Sequence, residues 1–160
     1  MGDAPSPVRR AIGQRQPFRT PRQEGVIALM VTAAAVRRRF VDLLAAHGQV
    51  TLQQYNVLRI LRGAEPAGLP TLEIAERMIE RTPGVSRLID RLARKGLVVR
   101  QRAPDDRRQV LCRVTAAGLA LLAELDPRVD AADEEALDAL DEADVTHLSE
   151  LLNRVRGALP

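Results

Sequence analysis

Tryptophan is missing from this chain, tyrosine occurs once and phenylalanine twice, so aromatics reach only 2% of 160 residues. A core must therefore be packed from Leu, Val, Ile and Ala, within a hydrophobic content of 46%. A single cysteine, Cys112, excludes an internal disulfide and a cysteine-rich zinc site. The two histidines, His47 and His147, are far apart in sequence and neither falls in a metal spacing such as His-x-x-x-His. No metal and no cofactor is expected. No apolar run approaches the roughly 18 residues of a membrane span, and the N-terminus lacks the apolar segment of a secretory signal. A cytoplasmic setting follows. Catalytic groupings are missing as well. Ser86 has no histidine near it in sequence, and Asp133, Glu134 and Glu135 read as a solvated acidic face. No enzyme and no catalytic residue is expected.

Charge is present in quantity but unevenly placed. The net value is only +3. Residues 1–22 carry five arginines against one acid, and residues 51–115 carry thirteen Arg or Lys against seven acids. Residues 116–160 reverse the balance, with three arginines against eleven acids. A basic middle beside an acidic C-terminal segment suggests one face for a polyanion and another kept away from it.

Residues 1–22 contain Pro5, Pro7, Pro17 and Pro21 without apolar periodicity, and read as a basic, disordered or extended arm. Residues 23–46 read as a helix whose apolar surface, from Val26 and Met30 to Phe40 and Leu44, is wider than one stripe. Arg37, Arg38 and Arg39 interrupt it, and His47-Gly48 ends it. Thr51 to Gln54 has capping-box spacing and opens a helix that stops at Gly63. Residues 66–70 read as a loop. After Thr115 the chain is helical again. There Pro127 must kink the helix or start a new one with Asp126 as cap, and Asp141 opens the last helix. The first helix and the last two exceed what a small domain can cover, which predicts packing against a second copy.

The remaining stretch, residues 71–115, organises the chain. Thr71 can cap a helix bearing Leu72, Ile74, Ala75, Met78 and Ile79. A second helix follows from Thr82, as N-cap, with Pro83 at its first position, to Lys95 before Gly96. At 100° per residue Val85, Leu88, Ile89 and Leu92 share one side. Pro83, Arg87, Asp90 and Arg94 lie opposite, flanked by Ser86 and Arg91. Leu97, Val98 and Val99 begin a strand, residues 103–108 turn, and Val110, Cys112 and Val114 alternate on the return. Helix, turn, helix and a two-stranded ribbon with a basic tip make a winged helix-turn-helix. Arg107 and Arg108 at the tip can enter a minor groove while the helix sits in the major groove.

These residues carry a specific resemblance. The run from Arg81 to Val98, then Asp106-Arg107-Arg108, then Val114-Thr115-Ala116-Ala117-Gly118 resembles the MarR family of bacterial transcriptional regulators, over residues 23–159. Asp106, Arg108, Val114 and Thr115 match that family's wing pattern. The resemblance implies a mainly α fold with a small two-stranded β-wing, and dimerisation helices at both ends. The domains would be an arm at 1–22, a dimerisation helix at 23–47, a DNA-binding domain at 51–115 and dimerisation helices at 116–160. The function expected is sequence-specific binding of a pseudo-palindromic double-stranded operator by a homodimer, as a repressor relieved by a small aromatic or phenolic ligand. In a bacterial cell such a protein is at the nucleoid when bound. Ser86 and Arg87 are placed for base edges, Thr82, Pro83 and Arg91 for the backbone, Arg107 and Arg108 for the minor groove, and Asp106 to orient a wing arginine. Arg39, His47 and Tyr55 are candidate polar elements of a ligand pocket. The missing tryptophan sets the chain apart from the urate-responsive branch. Cys112 is expected to face inward, and the first helix has no cysteine for oxidant sensing. The alternative is a winged-helix module for protein contacts without DNA readout.

Overall fold

The computed structural model describes residues 5–80, 83–102 and 109–159. They form two compact units, Met1–Asp42 and Leu43–Pro160. Among the described residues no helix is long and apolar enough to cross a membrane.

In the first unit a short helix α1, Pro7–Ala11, precedes the long helix α2, Pro21–His47, which continues into the second unit. The expectation of an arm without structure over residues 1–22 missed both starts. Pro7 stands at the first turn of α1 and Pro21 opens α2, positions where a missing N–H costs nothing. Thr20 Oγ1 accepts from the Gln23 amide at 3.1 Å, which satisfies one open donor of that first turn.

The second unit is built around α3, Leu52–Arg62. Its entry is the expected capping box. Thr51 Oγ1 accepts from the Gln54 amide at 3.2 Å, and Gln54 Oε1 accepts from the Thr51 amide at 3.0 Å. Five residues in succession, Gln54 to Leu58, are buried, as is Leu61. This helix is therefore covered on several sides. β1, Leu69–Pro70, leads into α4, Thr71–Arg77, and then α5, Val85–Arg94. β2, Val98–Arg102, and β3, Val110–Val114, follow. α6, Ala116–Leu137, and α7, Glu142–Gly157, complete the chain.

The sheet is three-stranded and antiparallel in the order β1-β3-β2, with Leu69 opposite Cys112 and Val98 opposite Val114. Two strands were expected. The third is only two residues long and ends in proline, so it shows no alternation to read. It sits at the sheet edge, where proline is tolerated. Cys112 is fully buried and Val114 nearly so, as the alternation on this strand predicts, while Val110, at the start of the strand, is exposed.

Three further expectations are corrected. Thr71 does not cap α4. The N-cap is Pro70, and the Thr71 hydroxyl lies 3.9 Å from Cys112 Sγ. α4 also ends after two turns, so Ile74 and Met78 are buried while Leu72 and Ile79 are left exposed. Of the two readings of Pro127, a kink or a new helix, the new helix is overturned, because α6 passes through the proline. Asp126 is not a cap. It binds Arg62 on α3 at 2.7 Å and holds that guanidinium further toward its charged form. That pair is over a third exposed, so it contributes about 0.2–1 kcal/mol. The apolar contact of α6, through fully buried Leu122 and Leu125, outweighs it. Asp141 does cap α7, accepting from the Asp144 amide at 2.8 Å.

Thr115 begins α6 as expected, accepting from the Gly118 amide at 3.1 Å. The close approach there makes glycine necessary. A Cβ on Gly118 would meet the Leu97 carbonyl oxygen at 2.4 Å and Val114 Cγ2 at 2.7 Å. The Leu97 oxygen is main chain and already accepts from the Thr115 amide at 3.0 Å, so it has little room to move. Gly118→Ala is expected to destabilise the fold by about 1–3 kcal/mol in urea unfolding, as overpacking does. Gly157→Ala, where nothing lies within 4 Å, is the control and should change little. Equal stability of the two variants would remove the close-packing account.

Candidate nucleic-acid interface

Helix α5 has an inner and an outer side. Val85, Ile89 and Leu92 are buried, and Leu88 is half-buried beside them. Ser86, Arg87, Asp90, Arg91 and Arg94 are exposed. The apolar side holds the helix down, so the polar side is presented by packing rather than by charge. From Arg87 to Arg94 is roughly 10 Å along the axis, at about 1.5 Å per residue. That span suits the width of a DNA major groove, about 12 Å.

The start of this helix differs from the reading of the sequence. Helical geometry begins at Val85, and the N-cap is Gly84 with φ +88°. Pro83 therefore lies in the turn before the helix and is exposed there, not at its first position. The left-handed conformation is open to glycine at no steric cost, and it lets the chain enter the helix without a side-chain cap. Thr82 lies outside the described residues, as do Asp106, Arg107 and Arg108 at the wing tip.

The far end of α5 is clamped. Gly96, with φ +72°, follows the cap residue Lys95. The Leu97 amide donates to the Leu92 carbonyl at 3.0 Å and the Gly96 amide to Ala93 at 2.9 Å, which is the Schellman pattern. Thr115 Oγ1 donates to the Gly96 carbonyl oxygen at 2.6 Å. Lys95 Nζ donates to the Gln49 carbonyl oxygen, between α2 and α3.

One residue of this surface was not found by sequence reasoning. Arg100 on β2 pairs with the Asp90 carboxylate at 3.0 Å and donates to the Ser86 carbonyl oxygen at 3.3 Å. It thus joins the wing strand to the exposed side of α5. The only signal in the sequence was one acid among the arginines of an otherwise basic face. Among the described residues Arg87, Arg91 and Arg94 have no acidic partner, so their charge faces outward uncompensated.

The candidate ligand residues belong to both units. Arg39 is exposed on α2 in the first unit. His47 is exposed at the end of that helix, and Tyr55 is buried in α3, both in the second unit. Burial pushes the Tyr55 phenol above its usual range, and the Arg59 guanidinium, 5.9 Å from the ring centroid, partly opposes this. Among the described residues no group of three His, Cys, Asp or Glu side chains is placed to hold a metal ion.

Comparison with known proteins gives a consistent result. The family model described as MarR family matches residues 50–110. The HTH-type transcriptional regulator FarR of Neisseria gonorrhoeae is 30% identical over 116 residues, covering 72% of this chain and 75% of that one. The crystal structure of a MarR transcription factor from Planctomyces limnophilus is similar with TM-score 0.65 and 36% identity, covering 86% of this chain and 98% of that one. A mutant MarR from E. coli, complexed with operator DNA, is similar with TM-score 0.69 and 26% identity, covering 83% of this chain and 91% of that one.

Asp90 gives a test in which two physical effects have opposite signs. Removing a carboxylate from a surface that meets DNA should strengthen binding by simple electrostatics. If Asp90 instead holds Arg100 and so fixes the wing against α5, Asp90→Ala should weaken binding to a specific duplex. Weakening is expected, and Arg100→Met should weaken it without an additive further loss in the double variant. Tighter binding by Asp90→Ala, measured by fluorescence anisotropy, would reject the tether.

Proposed function

This chain belongs to the MarR family and is a DNA-binding transcriptional regulator; on that premise we propose that it acts as a homodimer on a pseudo-palindromic operator, as a repressor released by a small aromatic or phenolic ligand. The observation that carries the DNA part is the outer side of α5. Three arginines without an acidic partner among the described residues stand on a helix whose opposite side is locked into the core. A protein-contact module would not need that concentration of uncompensated positive charge, and the reading of α5 as an interaction surface alone is set aside. We assign Ser86 and Arg87 to base edges, Thr82, Pro83 and Arg91 to the backbone, and Arg107 and Arg108 to the minor groove, with Asp106 orienting a wing arginine. The setting we propose is the cytoplasm, at the nucleoid when bound.

The dimer is supported by apolar surface that each unit leaves open. α7 buries no residue, and Leu151, Leu152, Val155 and Leu159 are all exposed. On α2, Val26, Leu29 and Met30 are exposed. Isolated exposed leucines need no explanation, but repeated ones along one helix do. We propose residues 23–47 and 116–160 as the dimerisation segments and residues 51–115 as the DNA-binding domain. For the ligand we propose Arg39, His47 and Tyr55 as candidate polar contacts. Light scattering at micromolar concentration should give a dimer, and Leu151→Asp with Val155→Asp should yield monomer. A monomeric wild type would remove the two-fold argument for the operator.

Base readout is separable from attraction to charge. An arginine paired with O6 and N7 of guanine discriminates against a wrong base by about 1–3 kcal/mol. Arg87→Ala should therefore lose preference at one symmetric pair of positions when bound sequences are selected from a random pool. Arg94→Ala, at the far end of the helix, should lose affinity slightly and evenly across sequences. Arg107→Ala should weaken binding to all sequences and flatten the salt dependence, by roughly 0.9 in log–log slope for each phosphate it no longer neutralises. If Arg87→Ala selects the wild-type motif with undiminished information at every position, the base-reading role is wrong and the family assignment is untouched.

A further inference from the structure

We propose that the N-terminal segment ahead of α2 carries a phosphate-binding site, built on Ser6 and Arg9 and separate from the helix-turn-helix. The inference rests on the reading of the chain as a DNA-binding protein only for the source of the phosphate. A cavity of about 240 Å³ lies among residues 6–24 of the first unit. Ser6, Arg9, Arg19 and Glu24 supply its polar lining, and Phe18 is part of its apolar wall.

Two polar atoms of residues that line this cavity have nothing to bond among the described residues. Ser6 Oγ and Arg9 Nε are buried, and among the described residues neither has a hydrogen-bond partner. The rest of the Arg9 side chain is tied down, because its Nη2 donates to the Arg15 carbonyl oxygen. The Nε–H is therefore held in place as an unused, charged donor. A buried donor of this kind is costly to leave unpaired, and folded proteins seldom leave such groups without a partner. The Arg9 Nε–H can only donate, and the Ser6 hydroxyl can donate as well as accept. Acceptor oxygens that carry negative charge can satisfy both. An oxyanion supplies them, and an arginine edge binds phosphate through charge-assisted hydrogen bonds.

The charge around the cavity agrees with this. Arg9 and Arg19 outweigh Glu24, and residues 1–22 as a whole carry five arginines against one acid. The Phe18 wall can cover the carbon part of a phosphate ester. A DNA diester is the source that fits the protein's function, since a basic segment near DNA meets phosphates at high local concentration. Glu24 works against an anion, which makes it a useful control.

The experiment uses the full-length protein in two arms. In the first, the Arg9 Nε–H resonance, assigned by its loss in Arg9→Lys, is followed while inorganic phosphate is added. It should shift and saturate, Ser6→Ala should weaken the response severalfold, and Glu24→Gln should strengthen it. In the second, affinity for the duplex enriched by the selection above is measured against salt. Arg9→Lys keeps the charge but lacks the Nε donor, so it should lose affinity severalfold, as should Ser6→Ala. Arg9→Ala should flatten the slope by roughly 0.9 per copy of the chain. A phosphate response with unchanged DNA binding supports the site and assigns it to a free phosphate or phosphate ester. No response to phosphate overturns the proposal, whatever the variants do to DNA binding. If wild type binds no duplex specifically while the phosphate response persists, the DNA reading fails and the site stands.

Discussion

Thr115 Oγ1 donates to the Gly96 carbonyl oxygen at 2.6 Å and accepts from the Gly118 amide at 3.1 Å. Its own amide donates to the Leu97 carbonyl at 3.0 Å. One residue therefore joins the end of α5, the entry to the wing and the start of α6. Each of these places is a chain reversal or a helix terminus, where main-chain groups have no partner within an element. Pairing such groups within the protein contributes about 0.5–1.5 kcal/mol each. Satisfying them at one point fixes where α5 ends relative to the sheet. Gly118 belongs to the same arrangement, since only a residue without Cβ lets Leu97 come so close. The Val-Thr-x-x-Gly pattern at the end of β3 thus has a geometric cause.

The scarcity of aromatic residues shapes the rest. The largest fully buried side chains are leucines, isoleucines, Val57 and Cys112. They come from α2, α3, α4, α5, α6 and β3, so this core is assembled from many short contributions. α3 supplies the largest share, with Val57, Leu58 and Leu61 fully buried. Helices such as α4, with two turns, persist because neighbours bury Ile74 and Met78, not because two turns are stable alone.

What could be read in the sequence was what repeats with a local period or closes within a few residues. The stripe of Val85, Ile89 and Leu92, the Thr51–Gln54 box, the caps at Thr115 and Asp141 and the inward Cys112 all depend on near neighbours. What could not be read depends on distant ones. β1 exists because Leu69 and Pro70 meet Cys112 and Leu111. Asp126 is drawn to Arg62, sixty-four residues away, instead of capping a helix. Thr82-Pro83 looked like a helix start, yet Gly84 took that place because the turn needs a positive φ. α6 passes through Pro127 because Leu122, Leu125, Val129 and Ala132 are buried on both sides of it, and burial of that size offsets a proline. Arg100 was invisible for the same reason as β1, since its partners lie on another element. The assignment of Arg39, His47 and Tyr55 to a pocket had only residue type behind it, and Tyr55 belongs to the core of α3.

Asp90 is the residue of the basic face whose presence needs an argument. Its charge opposes that of DNA, and its pair with Arg100 is too exposed to contribute more than about 0.2–1 kcal/mol to stability. Burial of Val85, Ile89 and Leu92, at about 1.5–3 kcal/mol each, is what holds α5 in the fold. The ion pair must then act on something that the core leaves free. A helix seated on an apolar stripe resists being lifted, and a small roll about its own axis uncovers less of that stripe than lifting does. Arg100 grips the outer side of α5 at two points, Asp90 and the Ser86 carbonyl, one turn apart. A two-point contact of that kind opposes roll. The exposed side of α5, with Ser86 and Arg87 on it, turns with that angle, so a weak bond placed there bears on presentation while the core carries stability.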